Sequence, residues 1–178
     1  MRFYDDDPTT PVFFEIKDRM ANKSRPKKRA AVRRDAVASL LAANSPQSSH
    51  LTSEDPQDFP ALEEFCERMH GLNAQPKIHV AYSREAYMST NDNFVRLTMD
   101  REVRADALPR DEQAASSIRL SMTMRNPMLV WGKDVVLELK FPDRFPDMFR
   151  ELVHIFGLRR CGAGKYVDSI ATLGEDKL

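Results

Sequence analysis

The stretch VRLTMD, residues 95–100, alternates apolar and polar side chains without a break: Val95, Leu97 and Met99 against Arg96, Thr98 and Asp100. Side chains alternate across an extended strand, so the two sets fall on opposite faces. The same pattern returns three more times. FFEIKDR sets Glu15, Lys17 and Arg19 against Phe14 and Ile16; VAYSRE carries Tyr82 and Arg84; VVLELKF sets Glu138 and Lys140 against Leu137, Leu139 and Phe141. For one such strand a solvated outer face is the ordinary explanation. Four are harder to explain that way, because one solvated strand does not predict the next. A sheet that buries its apolar face and shows a second face of Lys, Arg and a few carboxylates is suited to hold an anion. If that sheet closes, the face becomes the wall of a basic tunnel.

Composition narrows the reading. A chain of 178 residues with 42% hydrophobic content is expected to be one domain, 1–178, with a real core. Lys and Arg total 27, equal to Asp and Glu at 27, so the net charge of zero excludes a uniformly basic, nucleic-acid-coating surface. Nucleic acid is excluded further because aromatic residues are not interleaved with the basic strands, as base stacking requires. The charge is instead local. Lys17, Arg19, Lys23, Arg25, Lys27, Lys28, Arg29, Arg33 and Arg34 face the single acid Asp18 within residues 17–34, which marks a site rather than a coat. Cys66 and Cys161 are too few for a disulfide framework or zinc site and suit a reducing, cytoplasmic setting. His50, His70, His79 and His154 lack metal-ligand spacing, and no long apolar run marks a membrane segment.

Along the chain, Met1 to Tyr4 reads as the tail of a strand, as if the chain begins partway into a domain. Residues 12–19 read as a strand, Asn22 to Arg25 as a turn, and Lys27 to Val32 as the returning strand of a hairpin. Arg34 to Ala43 reads as a short helix, 44–58 as a polar loop, and 59–71 as a helix ended by Gly71. Strands are expected at 77–85, 94–100 and 134–141, with an irregular one near 117–124. Pro146 opens a helix with Phe149, Leu152, Val153 and Phe156 inward, and the tail frays over 168–178. Short hairpins and few helices favour an antiparallel α+β domain.

The charged face would gather Lys17, Arg19, Lys27, Arg29, Arg84, Arg96 and Lys140 beside Glu15 and Glu138. Arg offers a planar fork that matches phosphate oxygens in pairs, and Lys adds compact charge. Carboxylates in such a site have two explanations. One is a divalent cation, Mg²⁺ or Mn²⁺, held by one or two carboxylates together with substrate phosphate. The other is charge balance among crowded cations in the empty site. GAGK, ending at Lys165, is not a P-loop, because it lacks the leading glycine and the following Ser or Thr.

In order, FFEIK-x-R, the Lys-x-Arg of Lys27 to Arg29, the Y-x-R of Tyr82 to Arg84, VRLTMD, LELKF at 137–141 and GKY at 164–166 resemble the vacuolar transporter chaperone (VTC) domain. This is the polyphosphate polymerase family of the wider triphosphate tunnel metalloenzyme (CYTH-like) superfamily. The resemblance runs over nearly the whole chain. It implies an antiparallel β-barrel tunnel with flanking helices, here incomplete at the N-terminus. It also implies transfer of the ATP γ-phosphoryl group to a growing polyphosphate chain with Mn²⁺ or Mg²⁺. By the resemblance Lys17, Lys27, Arg84, Arg96 and Lys165 contact phosphate during catalysis. Arg2, Arg19, Arg29 and Lys140 support phosphate binding, and Glu138, with Glu15, holds the metal. ATP and polyphosphate are the expected ligands, with a tether to the membrane through a membrane-protein partner. The chain departs from the family in lacking a serine just before the last lysine: it reads Cys161-Gly162-Ala163-Gly164-Lys165. The alternatives are a degenerate module that binds polyphosphate or nucleotide without turnover, and a related triphosphate hydrolase.

Overall fold

The computed structural model describes residues 1–17, 27–90, 94–109 and 118–174. The chain divides into two compact units, Met1–Lys77 with Leu108–Met124 and Ile78–Ala107 with Arg125–Leu178. Both combine helices with antiparallel strands, so the expected α+β class holds. The ladders form a two-stranded and a four-stranded sheet, and among the described residues no barrel closes.

In the first unit β1 (Val12–Ile16) pairs antiparallel with β2 (Lys28–Val32), from Val12 opposite Val32 to Ile16 opposite Lys28. Alternation puts Val12, Phe14, Ala30 and Val32 on the buried face. Against it pack Val37 and Leu40 of α1 (Val37–Leu41), which follows a 3-10 turn at Arg34–Ala36. Ala61, Leu62 and Cys66 of α2 (Asp58–Gly71) complete the core; Leu62, Cys66 and the buried Met69 follow the four- and three-residue steps of one helix face. Asp58 ties that helix to β2, its Oδ2 accepting the Ala31 N–H at 3.1 Å. The expected turn at Asn22–Arg25, the strand beyond Lys17 and Arg19 itself lie outside the described residues. The irregular strand expected near 117–124 is absent from 118–124. That segment is held instead by Arg34, whose Nη2 donates to the Leu120 carbonyl at 3.1 Å, and by the Met122 N–H on Asp6 Oδ1 at 2.7 Å.

In the second unit β3 (Ile78–Met88) pairs with β4 (Arg96–Ala107) in a long hairpin. The far side of β4 pairs with β6 (Val136–Lys140) at its start and with the two-residue β5 (Met128–Leu129) near its end. The ladder carries a bulge. Ser83 faces Arg101 and Ala81 faces Arg104, so β4 spends three steps where β3 spends two, and Glu102 takes a left-handed φ of 52°. The extra residue shifts the alternation. Before it Thr98 and Asp100 are buried; after it Val103 and Ala105 continue that face, with Asp106 buried beside them in sequence. The bulge thus lets one face run from polar to apolar, and β4 extends well past the residue-100 end read from the sequence.

Two helices complete this unit. In α3 (Asp147–Ile155) Phe149 is fully buried, in ring contact with Phe141 and Phe145. Leu152 and Val153 are half-buried. Phe156 is corrected from inward to exposed: the helix ends before it, and Gly157 at φ 56° turns the chain away. The second correction concerns the tail. Residues 165–173, expected to fray from 168, form α4 (Lys165–Leu173), which packs on β3 and β4. Ser169 and Leu173, four apart, are its buried side, in line with Lys165 at its first turn. No helix among the described residues is long and apolar enough to cross a membrane.

Candidate phosphate-binding site

Each unit presents a buried carboxylate surrounded by cations. In the first, Glu15 lies on β1 with its side chain only 8% exposed. Strand pairing sets its neighbours. Glu15 faces Arg29 directly on β2. On the other side of β1, Arg2 forms an isolated bridge to Phe13, its N–H donating to the Phe13 carbonyl at 2.9 Å. Arg2 Nε lies 4.0 Å and Arg29 Nε 3.8 Å from Glu15, and Lys27 closes the cluster with a direct ion pair. The Arg29 guanidinium also lies over the Phe13 ring, 3.4 Å from its centroid, which fixes its plane. Burial pushes the Glu15 carboxyl up, but the Lys27 hydrogen bond and the fields of Arg2, Lys27 and Lys17 outweigh it and hold the group below its ordinary range.

In the second unit Asp100, 1% exposed, receives two cations. Arg84 stands opposite it in the β3–β4 register and donates both Nε, at 2.6 Å to Oδ1, and Nη2, at 2.7 Å to Oδ2. Lys165, at the start of α4, places its Nζ 2.5 Å from Oδ2. Burial raises the Asp100 carboxyl, yet its pairing with Arg84 and then Lys165 leaves it lowered, and Arg84 is held above the ordinary guanidinium range by the same pair. Lys165 is flanked by the Tyr82 and Trp131 rings, 4.7 and 5.6 Å from their centroids. The Trp131 indole N–H donates to Asp168 Oδ2 at 3.1 Å, tying ring and helix together.

Glu138 extends this cluster along the same face. It stands opposite Thr98, whose hydroxyl lies 3.4 Å from its Oε2, with Arg84 Nη2 at 3.7 Å and Lys140 Nζ at 3.5 Å. Its side chain is 42% exposed, so it is the open carboxylate of the set. Arg96 and Lys140 face each other at the end of that ladder, both exposed.

The sequence candidates therefore fall into two groups. Arg2, Glu15, Lys27 and Arg29 come together in the first unit, where Lys17 follows β1 as an exposed residue. Arg84, Arg96, Glu138, Lys140 and Lys165 share the second. The sequence reading did not assign Asp100 a role, although it sits in the alternating face of VRLTMD. Its signal was there: an acid two strand steps from Thr98, on a face otherwise chosen for cations. Tyr82 and Trp131 were missed because an aromatic beside a lysine is ordinary packing until a helix places them together.

The depressed carboxylates have a consequence for acid stability. A group whose folded pKa lies below its unfolded value, near 4 for Asp and Glu, contributes stability that is complete above that value. The contribution disappears as pH falls through the lower, folded value. Urea midpoints measured from about pH 6 to pH 2 should accordingly fall steeply below about pH 4. Glu15→Gln should flatten part of that acid limb.

These features define an α+β protein in which strands and a helix start bring Arg and Lys around buried carboxylates. The VTC domain family model matches residues 1–174, and the chain belongs to that family, which is related to the polyphosphate polymerases. No curated protein matches it.

Proposed function

We propose that this domain is a phosphotransferase of the polyphosphate polymerase type, moving the γ-phosphoryl group of ATP onto a polyphosphate chain in the cytoplasm. The observation that carries the reading is the excess of cations around each buried carboxylate: Arg2, Lys27 and Arg29 against Glu15, and Arg84 and Lys165 against Asp100. Each cluster keeps net positive charge after internal pairing, which is what a polyanion requires. Phosphoryl transfer asks little covalent work of a protein. It needs in-line placement of the phosphates and fixed charge where negative charge accumulates. In the second unit Arg84, Arg96 and Lys165 would orient phosphate, with Lys140 beside them; in the first, Lys27 would do so with Lys17, Arg2 and Arg29. A closed tunnel round a threaded polymer belongs to this proposal.

The donor set fits a divalent cation in one mode. Among the described residues no three His, Cys, Asp or Glu side chains gather into a metal cage. Glu138, open and loosely paired, suits the mode in which one carboxylate anchors Mn²⁺ or Mg²⁺ and phosphate and water complete the shell. Bound there, the ion would neutralise charge on the phosphates. Glu15, clamped by Lys27 and both arginines, is better suited to be the counterion of its cluster than a second ligand.

The test uses the full-length native protein carrying this domain. With ATP and Mn²⁺ it should make long-chain polyphosphate, and Glu138→Ala should reduce synthesis at least ~100-fold, the scale on which removing one transition-state charge contact acts. Unchanged synthesis in that variant would remove the metal assignment. Orthophosphate release without polymer would identify a hydrolase. The glycines beside Lys165 favour one other reading, a module that grips polyphosphate without turnover; tight binding by calorimetry with no ATP consumption would select it.

A further inference from the structure

We infer that Asp100 is a positioning residue: a buried counterion that aims Arg84 and Lys165 together at the bound phosphates. The inference rests on the phosphate-binding reading above and deepens it. Three elements meet at this one carboxylate: β4 supplies it, β3 brings Arg84 across the ladder, and α4 delivers Lys165. The Arg84 pair uses Nε and Nη2, one edge of the guanidinium, and leaves the Nη1 end directed away from Asp100. Asp100 Oδ2 accepts from both cations, so each fixes the other through it. Tyr82 stands beside both, 5.3 Å from the Arg84 guanidinium carbon and 4.7 Å from Lys165 Nζ.

The reason for such a residue is entropic and geometric. Arg and Lys each lose rotamer freedom when a ligand orders them. An internal carboxylate that orders them beforehand removes that cost from the binding step. At 1% exposure Asp100 is itself out of reach as a direct ligand, so its effect passes through the two cations.

A role confined to packing would produce a different pattern of energies. With inorganic tripolyphosphate as probe, calorimetry at fixed salt on the full-length protein should show Arg84→Ala costing about thirty-fold in affinity in the wild-type background. In the Asp100→Asn background the same substitution should cost about three-fold or less, because Arg84 is no longer aimed. Lys27→Ala, which touches the other carboxylate, should cost the same in both. Equal Arg84→Ala costs in the two backgrounds would overturn the inference while leaving the functional reading standing. A wild-type protein that bound no tripolyphosphate would overturn both. Should Asp100→Asn not fold, the wild-type protein carries the test. The Arg84 Nε–H resonance, assigned by its loss in Arg84→Lys, should exchange slowly with solvent and persist when tripolyphosphate saturates the site. Its disappearance on saturation would show that the pair breaks on binding, against the inference.

Discussion

Arg84→Ala is expected to weaken tripolyphosphate binding about thirty-fold, ~2 kcal/mol, the usual worth of a hydrogen bond to a charged group. It should also lower stability. Asp100 is buried, and without Arg84 it keeps Lys165 as its one ion-pair partner among the contacts described above. Breaking a fully buried pair costs about 3–5 kcal/mol; Arg84 is about a third exposed and one cation remains, so about 1–2 kcal/mol is the expected loss. Calorimetry reads the first effect and urea denaturation the second. Arg96→Ala should weaken binding less and leave stability nearly unchanged, since Arg96 is exposed at the end of its ladder. Equal, large stability losses in both variants would show that Arg84 is a packing residue and that the charged face has been misread.

That contrast shows what alternation in a sequence can and cannot convey. It identified the face: Arg84, Arg96, Glu138 and Lys140 do share one side of one sheet, and Glu15, Arg2 and Arg29 share another. Alternation does not say which side is buried. In VRLTMD the expected interior was Leu97 and Met99, yet Thr98 and Asp100 are the more buried pair, because α4 covers the polar face. Nor does it show a bulge. Val103 and Ala105 belong to the same buried face as Asp100 only because Glu102 adds a step, which no period-2 pattern would suggest. The terminal helix, expected to fray, is a nine-residue segment after glycines with little helix stability of its own. Its order comes from Ser169 and Leu173 docking on the sheet and from Lys165 reaching Asp100, contacts that depend on residues far away in sequence. The two cation clusters were thus legible as basic residues on alternating faces, while the pairing of Asp100 with Arg84 and Lys165 emerged only once strand register and helix docking were known.

Phe14→Ala should be the most destabilising single change in the first unit. Phe14 is 1% exposed and packs against the Phe65 ring with centroids 4.5 Å apart. Truncation removes its transfer free energy and leaves a void between β1 and α2, together about 3–5 kcal/mol. Collapse of the neighbours would soften that figure, but little slack is available. Val12, Val32, Val37, Leu40 and Leu62 around it are essentially unexposed, and α2 is tied to β2 through Asp58. The effect should reach the charged face, because Glu15 is the next residue on the same strand and its cations are placed by the register of β1. A variant that still folds should therefore show a weaker Lys27–Glu15 pair, seen as a smaller change in stability on Glu15→Gln in that background than in the wild type. Full additivity of Phe14→Ala and Glu15→Gln would mean that the core does not set the cluster's geometry, and that the cations around Glu15 are held by their own charges alone.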